Sequence, residues 1–164
     1  YEVKTLPGIE ESYPDTLSGE EIPVFIACEK ADAYRQTMHS DELIITADTI
    51  VWLDGLVMGK PEDEEDARRM LRCLSGKTHQ VITGVCLTTT EFQKSFATVT
   101  DVTFAELTEE EIDYYVQKYK PMDKAGSYGI QEWIGFVGVE GITGSYFNVM
   151  GLPIQRLYKE ISKL

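Results

Sequence analysis

An aspartate at the end of an apolar strand is the first residue whose position indicates chemistry. Asp48 directly follows residues 43–47, an apolar run rich in β-branched side chains that predicts a buried strand. A carboxylate at this point must be paired, hydrogen-bonded or placed at the end of the sheet facing a cleft, because an unpaired buried charge is costly. Taken alone, Asp48 is as consistent with an aspartate that caps a turn as with a catalytic base.

Two lysines could act with this aspartate. Lys60 lies between Gly59 and Pro61, and it follows a hairpin whose length would return it to the neighbourhood of Asp48. Lys30 lies on an otherwise apolar stripe of the first predicted helix. Both lysines could bind phosphate, but an exposed turn residue is the simpler reading of Lys60, and a snorkelling side chain is the simpler reading of Lys30.

Acidic and glycine-rich segments complete the set. Glu10 and Glu11 precede the first helix and could supply oxygen ligands to a hard divalent cation, or could simply be solvated. Residues 123–131 place Lys124 and Gln131 among small residues, and their glycines allow close approach to a ligand. Carboxylates, lysines, a metal and glycine-rich backbone are the parts needed to hydrolyse a phosphoanhydride.

Other catalytic classes are excluded by the motifs that the sequence lacks. It contains no G-x-x-x-x-G-K-[ST], so it is not a P-loop NTPase, and it contains neither G-x-S-x-G nor H-E-x-x-H. His39 and His79 are far apart in sequence and lack the spacing of zinc ligands.

The pattern of elements predicts an α/β fold in which a mixed, twisted sheet is flanked by helices. Apolar periodicity and capping boxes at Ser18/Glu21 and Thr108/Glu111 predict the helices. The expected helices span 20–37, 63–74, 108–118 and a final segment from 153. Strands are expected at 43–52, 56–58, 81–90 and 95–105, with shorter strand-like pieces at 1–5 and 136–139.

Composition limits the setting of this chemistry. The 164 residues suit one domain spanning 1–164, and the formal net charge of −13 argues against binding to DNA or RNA. No apolar run is long enough to cross a bilayer, and no signal peptide opens the chain. Three scattered cysteines predict reduced thiols in a cytoplasmic protein.

Five segments occur in the order typical of one protein family. They are residues 47–51 (Ala-Asp-Thr-Ile-Val), 59–61 (Gly-Lys-Pro), 74–85, 123–131 (Asp-Lys-Ala-Gly-Ser-Tyr-Gly-Ile-Gln) and 148–153 (Asn-Val-Met-Gly-Leu-Pro). In this arrangement the chain resembles the Maf family of nucleoside triphosphate pyrophosphatases over essentially its whole length. The resemblance implies the fold of inosine triphosphate pyrophosphatases, with two lobes and a central cleft.

The resemblance also implies a reaction and roles for particular residues. The reaction is cleavage between the α and β phosphates, with a divalent magnesium or manganese ion, in a protein that often forms a homodimer. Asp48 matches the family's proton acceptor. The other matching positions are polar groups around the phosphates and the metal at Glu11, Lys30, Lys60 and Lys124, and positions associated with substrate choice at Thr49 and Gln131. The metal ligands implied are Glu11 and Asp48.

Residues 123–131 resemble the branch of the family that prefers dTTP and UTP. A second branch, which prefers 7-methyl-GTP, usually has Asp-Ser-Ala-Gly at this point. The alternatives are therefore a pyrophosphatase for modified purine nucleotides, or a nucleotide-binding regulator of cell division without catalysis.

Two departures from the family pattern stand out. The family normally opens with a strand and a Ser/Arg loop, which is not found here, so we expect about twenty further residues before Tyr1 and reduced activity without them. Gln131 is followed by Glu132 and Trp133 where many members have glycine, and Trp133 could either stack on a base or cover the sheet.

Overall fold

The computed structural model describes residues 1–9 and 11–164. The helices are α1 (Glu21–Arg35), α2 (Glu64–Leu74), α3 (Glu109–Tyr119), α4 (Trp133–Gly138), α5 (Tyr146–Met150) and α6 (Ile154–Ile161), with a short 3-10 turn at Ala125–Ser127. The strands are β1 (Ile44–Leu53), β2 (Leu56–Met58), β3 (Thr78–Thr88), β4 (Gln93–Phe104) and β5 (Val139–Thr143). Within this described part of the chain, no helix is long and apolar enough to cross a membrane.

The strands form one sheet in the order β2-β1-β3-β4-β5. Each pairing between neighbouring strands is antiparallel. The hairpin predicted at Asp54 and Gly55 is present, with both residues in the left-handed region at φ of 51° and 82°. The predicted α/β architecture of a sheet flanked by helices is therefore confirmed. The prediction of a mixed sheet is corrected, because the five strands of the described residues pair only in the antiparallel sense.

Helices cover both faces of this sheet. On one face α1 buries Ile22 and Ile26 against Ile50 of β1 and Ile82 of β3. The opposite face packs against α2 and α3 in the largest core cluster, whose buried members include Leu71, Leu74, Ile112, Tyr115 and Val116. The capping box predicted at Thr108 and Glu111 begins α3, as expected.

Gly84 of β3 allows α1 to lie directly on the sheet. A Cβ atom at this position would stand 2.3 Å from the backbone of Pro23 and Val24, a distance that no side chain tolerates. Gly84 is paired in register with Asp48 of β1. Directly opposite residues of an antiparallel pair share a face, so Asp48 points toward α1.

Three local predictions were wrong. Residues 1–5 are not a strand, and they have no strand partner in the described residues. Residues 136–138 are helical, because the turn of α4 buries Ile134 and Gly138 together. Ser18 does not cap α1, which begins from Glu20, although the Glu21 carboxylate accepts from the Ser18 amide at 3.3 Å.

A buried histidine makes stability depend on pH. His79 is 1% exposed, its Nε2 lies 2.6 Å from the Tyr128 hydroxyl, and burial lowers the pKa of His79 from 6.5 to about 4. The unfolded chain therefore binds more protons than the folded one between these values, and stability falls as the pH drops from about 6.5 toward 4.

We expect this titration to contribute about 3 kcal/mol to the loss of unfolding free energy over that range. Urea unfolding at several pH values should show a shallower pH dependence for His79→Gln than for the parent protein. His39→Gln, which changes the exposed histidine, serves as the control. An unchanged slope in His79→Gln would show that this histidine does not carry the effect.

Candidate active site

Asp48 lies in β1 at the point where one edge of that strand becomes free. The short strand β2 pairs only with Val51, Trp52 and Leu53, so in the described residues the part of β1 before Val51 has β3 as its only strand neighbour. The Asp48 side chain is 10% exposed. It is therefore a largely buried carboxylate in the middle of β1, beside the free edge of that strand.

Lys30 of α1 contacts this carboxylate and a second carboxylate beside it. Its Nζ donates to Asp48 Oδ1 at 3.3 Å and to the carbonyl oxygen of Ala47 at 3.2 Å. The same ammonium lies 3.2 Å from Glu11 Oε1. Lys30 thus bridges the two carboxylates that the sequence assigned to a metal, and it is not a snorkelling surface residue.

Burial raises the pKa of Asp48 above the usual 3.8. The positive charge and hydrogen bond of Lys30 oppose that rise, and the nearby charge of Lys60 also lowers the pKa. The carboxylate of Glu11 raises it further. A carboxyl group with a raised pKa is a better proton acceptor than an ordinary aspartate, which suits a general base.

Lys60 is held beside the glycine-rich segment by a backbone bond. The amide of Gly126 donates to the carbonyl oxygen of Gly59 at 3.1 Å. Gly126 has φ of 69°, and a Cβ atom there would lie 2.9 Å from the Val51 side chain, so glycine is required for this contact. The two motifs that carry Lys60 and Lys124 are consequently brought to the same place.

A cleft of about 270 Å³ joins these elements. The predicted site residues that line it are Glu11, Asp48, Thr49, Lys60, Lys124 and Gln131. The seventh predicted site residue, Lys30, contacts Glu11 and Asp48. A larger cavity of about 510 Å³ follows residues 44–47 and the N-terminal segment, and Glu11 and Lys30 line it, but Asp48, Lys60 and Lys124 do not. The smaller cleft is therefore the candidate active site.

Thr49 points to the opposite face of the sheet from Asp48, because neighbouring side chains of a strand alternate. Its hydroxyl lies 2.8 Å from the hydroxyl of Thr83 and 3.4 Å from the carbonyl oxygen of Gly151. Thr49 lines the cleft, but its hydroxyl is already engaged by the protein. Its role in substrate choice stays a prediction.

Asn148 is a residue of this region whose part the sequence did not reveal. It is fully buried, and its amide nitrogen donates to the carbonyl oxygens of Val81 and Thr98 and to the Thr100 hydroxyl. The backbone carbonyl oxygen of Asn148 accepts from the Thr83 hydroxyl at 3.2 Å. These bonds fix α5 on the sheet and place Met150 and Gly151 in the cleft wall. A buried asparagine in a glycine-rich segment was the available signal.

The carboxylates fit a divalent cation when substrate oxygens are also present. Glu11 and Asp48 both hold one positive charge already, the Lys30 ammonium. Across residues 1–9 and 11–164, no three His, Cys, Asp or Glu side chains are grouped to hold a metal. Magnesium is usually bound by one or two carboxylates together with substrate phosphates, so two carboxylates are a suitable set.

Two remaining predictions have different outcomes. Trp133 packs edge-on against Tyr114 of α3, with ring centroids 4.8 Å apart, and is a partly buried side chain packed against the largest core cluster. It covers the core and does not line the cleft, which decides between its two alternatives. Glu10 lies outside the described residues.

Known proteins resemble this chain over most of its length. A family model described as "Maf-like protein" matches residues 2–164. The chain belongs to the Maf family. It is 79% identical over 164 residues to a protein of Phocaeicola vulgatus named "dTTP/UTP pyrophosphatase", covering all of this chain and 85% of that protein. Identically named Maf relatives from Bacteroides fragilis and Porphyromonas gingivalis are 70% and 52% identical, and 85% and 82% of their lengths are covered.

Proposed function

We propose that this protein hydrolyses dTTP and UTP between the α and β phosphates, releasing the nucleoside monophosphate and pyrophosphate. Curated relatives from several species carry the name dTTP/UTP pyrophosphatase at up to 79% identity, and the similarity extends over the whole chain. The protein is therefore a hydrolase that acts on nucleoside triphosphates.

The observation that carries the proposal is one cleft that joins lysines to a buried aspartate. Lys60 and Lys124 line the cleft together with Asp48, and Lys30 pairs with Asp48, in a chain whose net charge is −13. These lysines offset the carboxylates of the cleft and supply the cations that a triphosphate requires. The lysines would neutralise phosphate oxygens, while the carboxylate of Asp48 would accept the proton of the attacking water.

Each side chain then has a separate task. Lys30 fixes the Asp48 carboxylate through Oδ1 and restrains its orientation. Lys60 and Lys124, which both line the cleft, bind the phosphate chain and place its α phosphate near Asp48. A bound magnesium or manganese ion would polarise the phosphate oxygens and neutralise their charge.

Gln131 is proposed as the residue that reads the base. It is an exposed residue of the cleft wall and lies in the same segment as Lys124. Its amide can accept from N3–H and donate to O4, which are adjacent on uracil and thymine. Guanine presents the same pair of groups at N1–H and O6, so the choice of a pyrimidine over 7-methyl-GTP rests on the names of the relatives.

A panel of nucleoside triphosphates tests the proposal. With magnesium present, the purified full-length protein should release pyrophosphate from dTTP and UTP roughly tenfold faster than from 7-methyl-GTP, as its relatives' names suggest and as differential binding of the two bases can supply. Preference for 7-methyl-GTP would favour the purine alternative. Nucleotide-dependent thermal stabilisation without hydrolysis would favour a non-catalytic regulator.

Metal dependence is part of the same proposal. Glu11 and Asp48 would hold the cation together with substrate oxygens, so chelation should abolish turnover and added magnesium or manganese should restore it. The test needs only the same assay with and without chelator. Full activity in chelator would remove the metal from the proposal.

We also propose a cytoplasmic homodimer. All three cysteines are free thiols, and the sulfur atoms of Cys28 and Cys86 lie 3.5 Å apart without a disulfide, which is typical of a reducing compartment. Large apolar side chains such as Phe136, Phe147 and Tyr158 are exposed by 81%, 57% and 72%, and a partner copy would cover them. Light scattering after size-exclusion chromatography measures the assembly.

A further inference from the structure

A buried tyrosine of α3 reaches the loop that forms one wall of the cleft. The Tyr115 hydroxyl donates to Glu132 Oε1 at 2.7 Å and accepts from the amide of Gly129 at 3.1 Å. Tyr115 is fully buried, and burial followed by the contact with Glu132 raises the pKa of its phenol, which keeps the hydroxyl protonated as a donor. One hydroxyl therefore forms hydrogen bonds with two residues of the loop, Gly129 and Glu132.

Glu132 forms a backbone hydrogen bond within the same loop and an ion pair with Lys124, a lysine of the cleft. Its backbone amide donates to the Gly129 carbonyl oxygen at 3.0 Å, and its Oε1 lies 3.8 Å from Lys124 Nζ. A Cβ atom at Gly129 would lie 2.8 Å from both the Glu132 carboxylate and the Lys124 side chain. The packing is thus tight enough to fix the course of the backbone on either side of Gln131.

We propose that Tyr115 and Glu132 are positioning residues that hold the backbone at Gln131, so that its amide reaches the base, and that restrain Lys124 beside the phosphates. Neither side chain lines the cleft, so both act through the loop. This inference rests on the proposed function of the cleft, and it identifies what makes that cleft selective among pyrimidines.

Position matters because a hydrogen bond to the base acts only at short range. Thymine and uracil present an acceptor at O4 and a donor at N3, whereas cytosine presents a donor at N4 and an acceptor at N3. The Gln131 amide can favour one of these edges only when it lies within hydrogen-bond reach of the base, and a displaced amide favours neither. The bonds of Tyr115 and Glu132 fix the backbone that sets this position.

The test compares dTTP with dCTP in Tyr115→Phe. We expect kcat with dTTP within about twofold of the parent, KM raised roughly tenfold, and the ratio of kcat/KM for dTTP over dCTP reduced roughly tenfold. Glu132→Ala should behave similarly. Glu132→Gln should retain selectivity within about threefold, because its amide oxygen still accepts from Tyr115.

Two controls separate positioning from simple loss of stability. Tyr119→Phe removes a hydroxyl from the neighbouring, stacked ring of the same helix, and Val116→Ala weakens the buried core beside Tyr115. Both should retain the parent's selectivity. Unchanged selectivity in Tyr115→Phe and Glu132→Ala, or an equal loss in Val116→Ala, would overturn the inference.

Binding measurements keep this test distinct from that of the proposed function. The affinities of non-hydrolysable α,β-methylene analogues of dTTP and dCTP are measured for the same variants. Absence of turnover in the parent protein would overturn the proposed reaction alone. A thymine preference in binding that is lost in Tyr115→Phe and Glu132→Ala would still support the inference, and a preference that persists in both would overturn it.

Discussion

Asp48→Asn is expected to reduce kcat for dTTP by about a thousandfold while leaving the fold intact. Loss of a general base typically costs two to four orders of magnitude in rate, about 3–5 kcal/mol of activation free energy. Asparagine has nearly the same shape, and its amide oxygen can still accept from Lys30 as the Asp48 carboxylate does. It cannot take a proton from water, so chemistry is lost and packing is kept.

The stability of the same variant should be equal to or higher than that of the parent. Burial opposes the charge of Asp48 and is the largest influence on its pKa, so the folded protein bears a desolvation penalty at this position. Pyrophosphate release and thermal unfolding are measured side by side, with Asp41→Asn in an exposed turn as the matched control. Retention of more than a tenth of the parent's kcat would remove Asp48 from the role of base.

Elements governed by local chemistry were predictable from the sequence. The strand that carries Asp48, the Asp54–Gly55 hairpin and the amphipathic helix α2 are encoded by neighbours in the chain, through apolar period and turn conformation. The capping box of α3 is equally local. These elements were sufficient to bring Lys60 back toward Asp48, because the hairpin between them is short.

Contacts between distant segments were not predictable in this way. Lys30 resembled a snorkelling lysine because its role depends on how closely α1 approaches β3, and that approach depends on Gly84, 54 positions later in the chain. The buried bonds of Asn148 likewise depend on strands far away in sequence. The sequence pattern within one segment does not predict such contacts with distant segments.

The short helix α4 illustrates a conflict between local preference and tertiary packing. Residues 136–139 are rich in β-favouring side chains, which predicted a strand. In the fold, Ile134 and Gly138 of this segment are buried, and a Cβ atom at Gly135 would lie 1.8 Å from the Ile130 carbonyl oxygen. The segment forms a helical turn because this close approach and burial outweigh its propensity.

Lys30→Met is expected to reduce kcat/KM for dTTP roughly a hundredfold and to shift its dependence on pH. The Lys30 ammonium and its hydrogen bond lower the pKa of Asp48, in opposition to burial and to the charge of Glu11. Removing the ammonium leaves the two opposing influences in place. The pKa of Asp48 should therefore rise in the variant.

The direction of the pH shift follows from the protonation state in which Asp48 is active as a base. A general base acts as the carboxylate, so activity is lost as the pH falls through its pKa. With a higher pKa, the acidic limb of the kcat/KM profile moves to higher pH, and the variant should recover part of its deficit in alkaline buffer. Lys30→Arg, which restores a positive charge, should move the limb back toward that of the parent.

The control for this experiment is Lys118→Met, which removes an exposed lysine of α3 whose hydrogen-bond partner is Tyr114. Its pH profile should match that of the parent. A uniform loss of activity in Lys30→Met at every pH would mean that Lys30 binds phosphate without tuning Asp48. A displaced acidic limb requires the ion pair between Lys30 and Asp48 to set the proton affinity of the base, because phosphate binding by Lys30 alone would not move it.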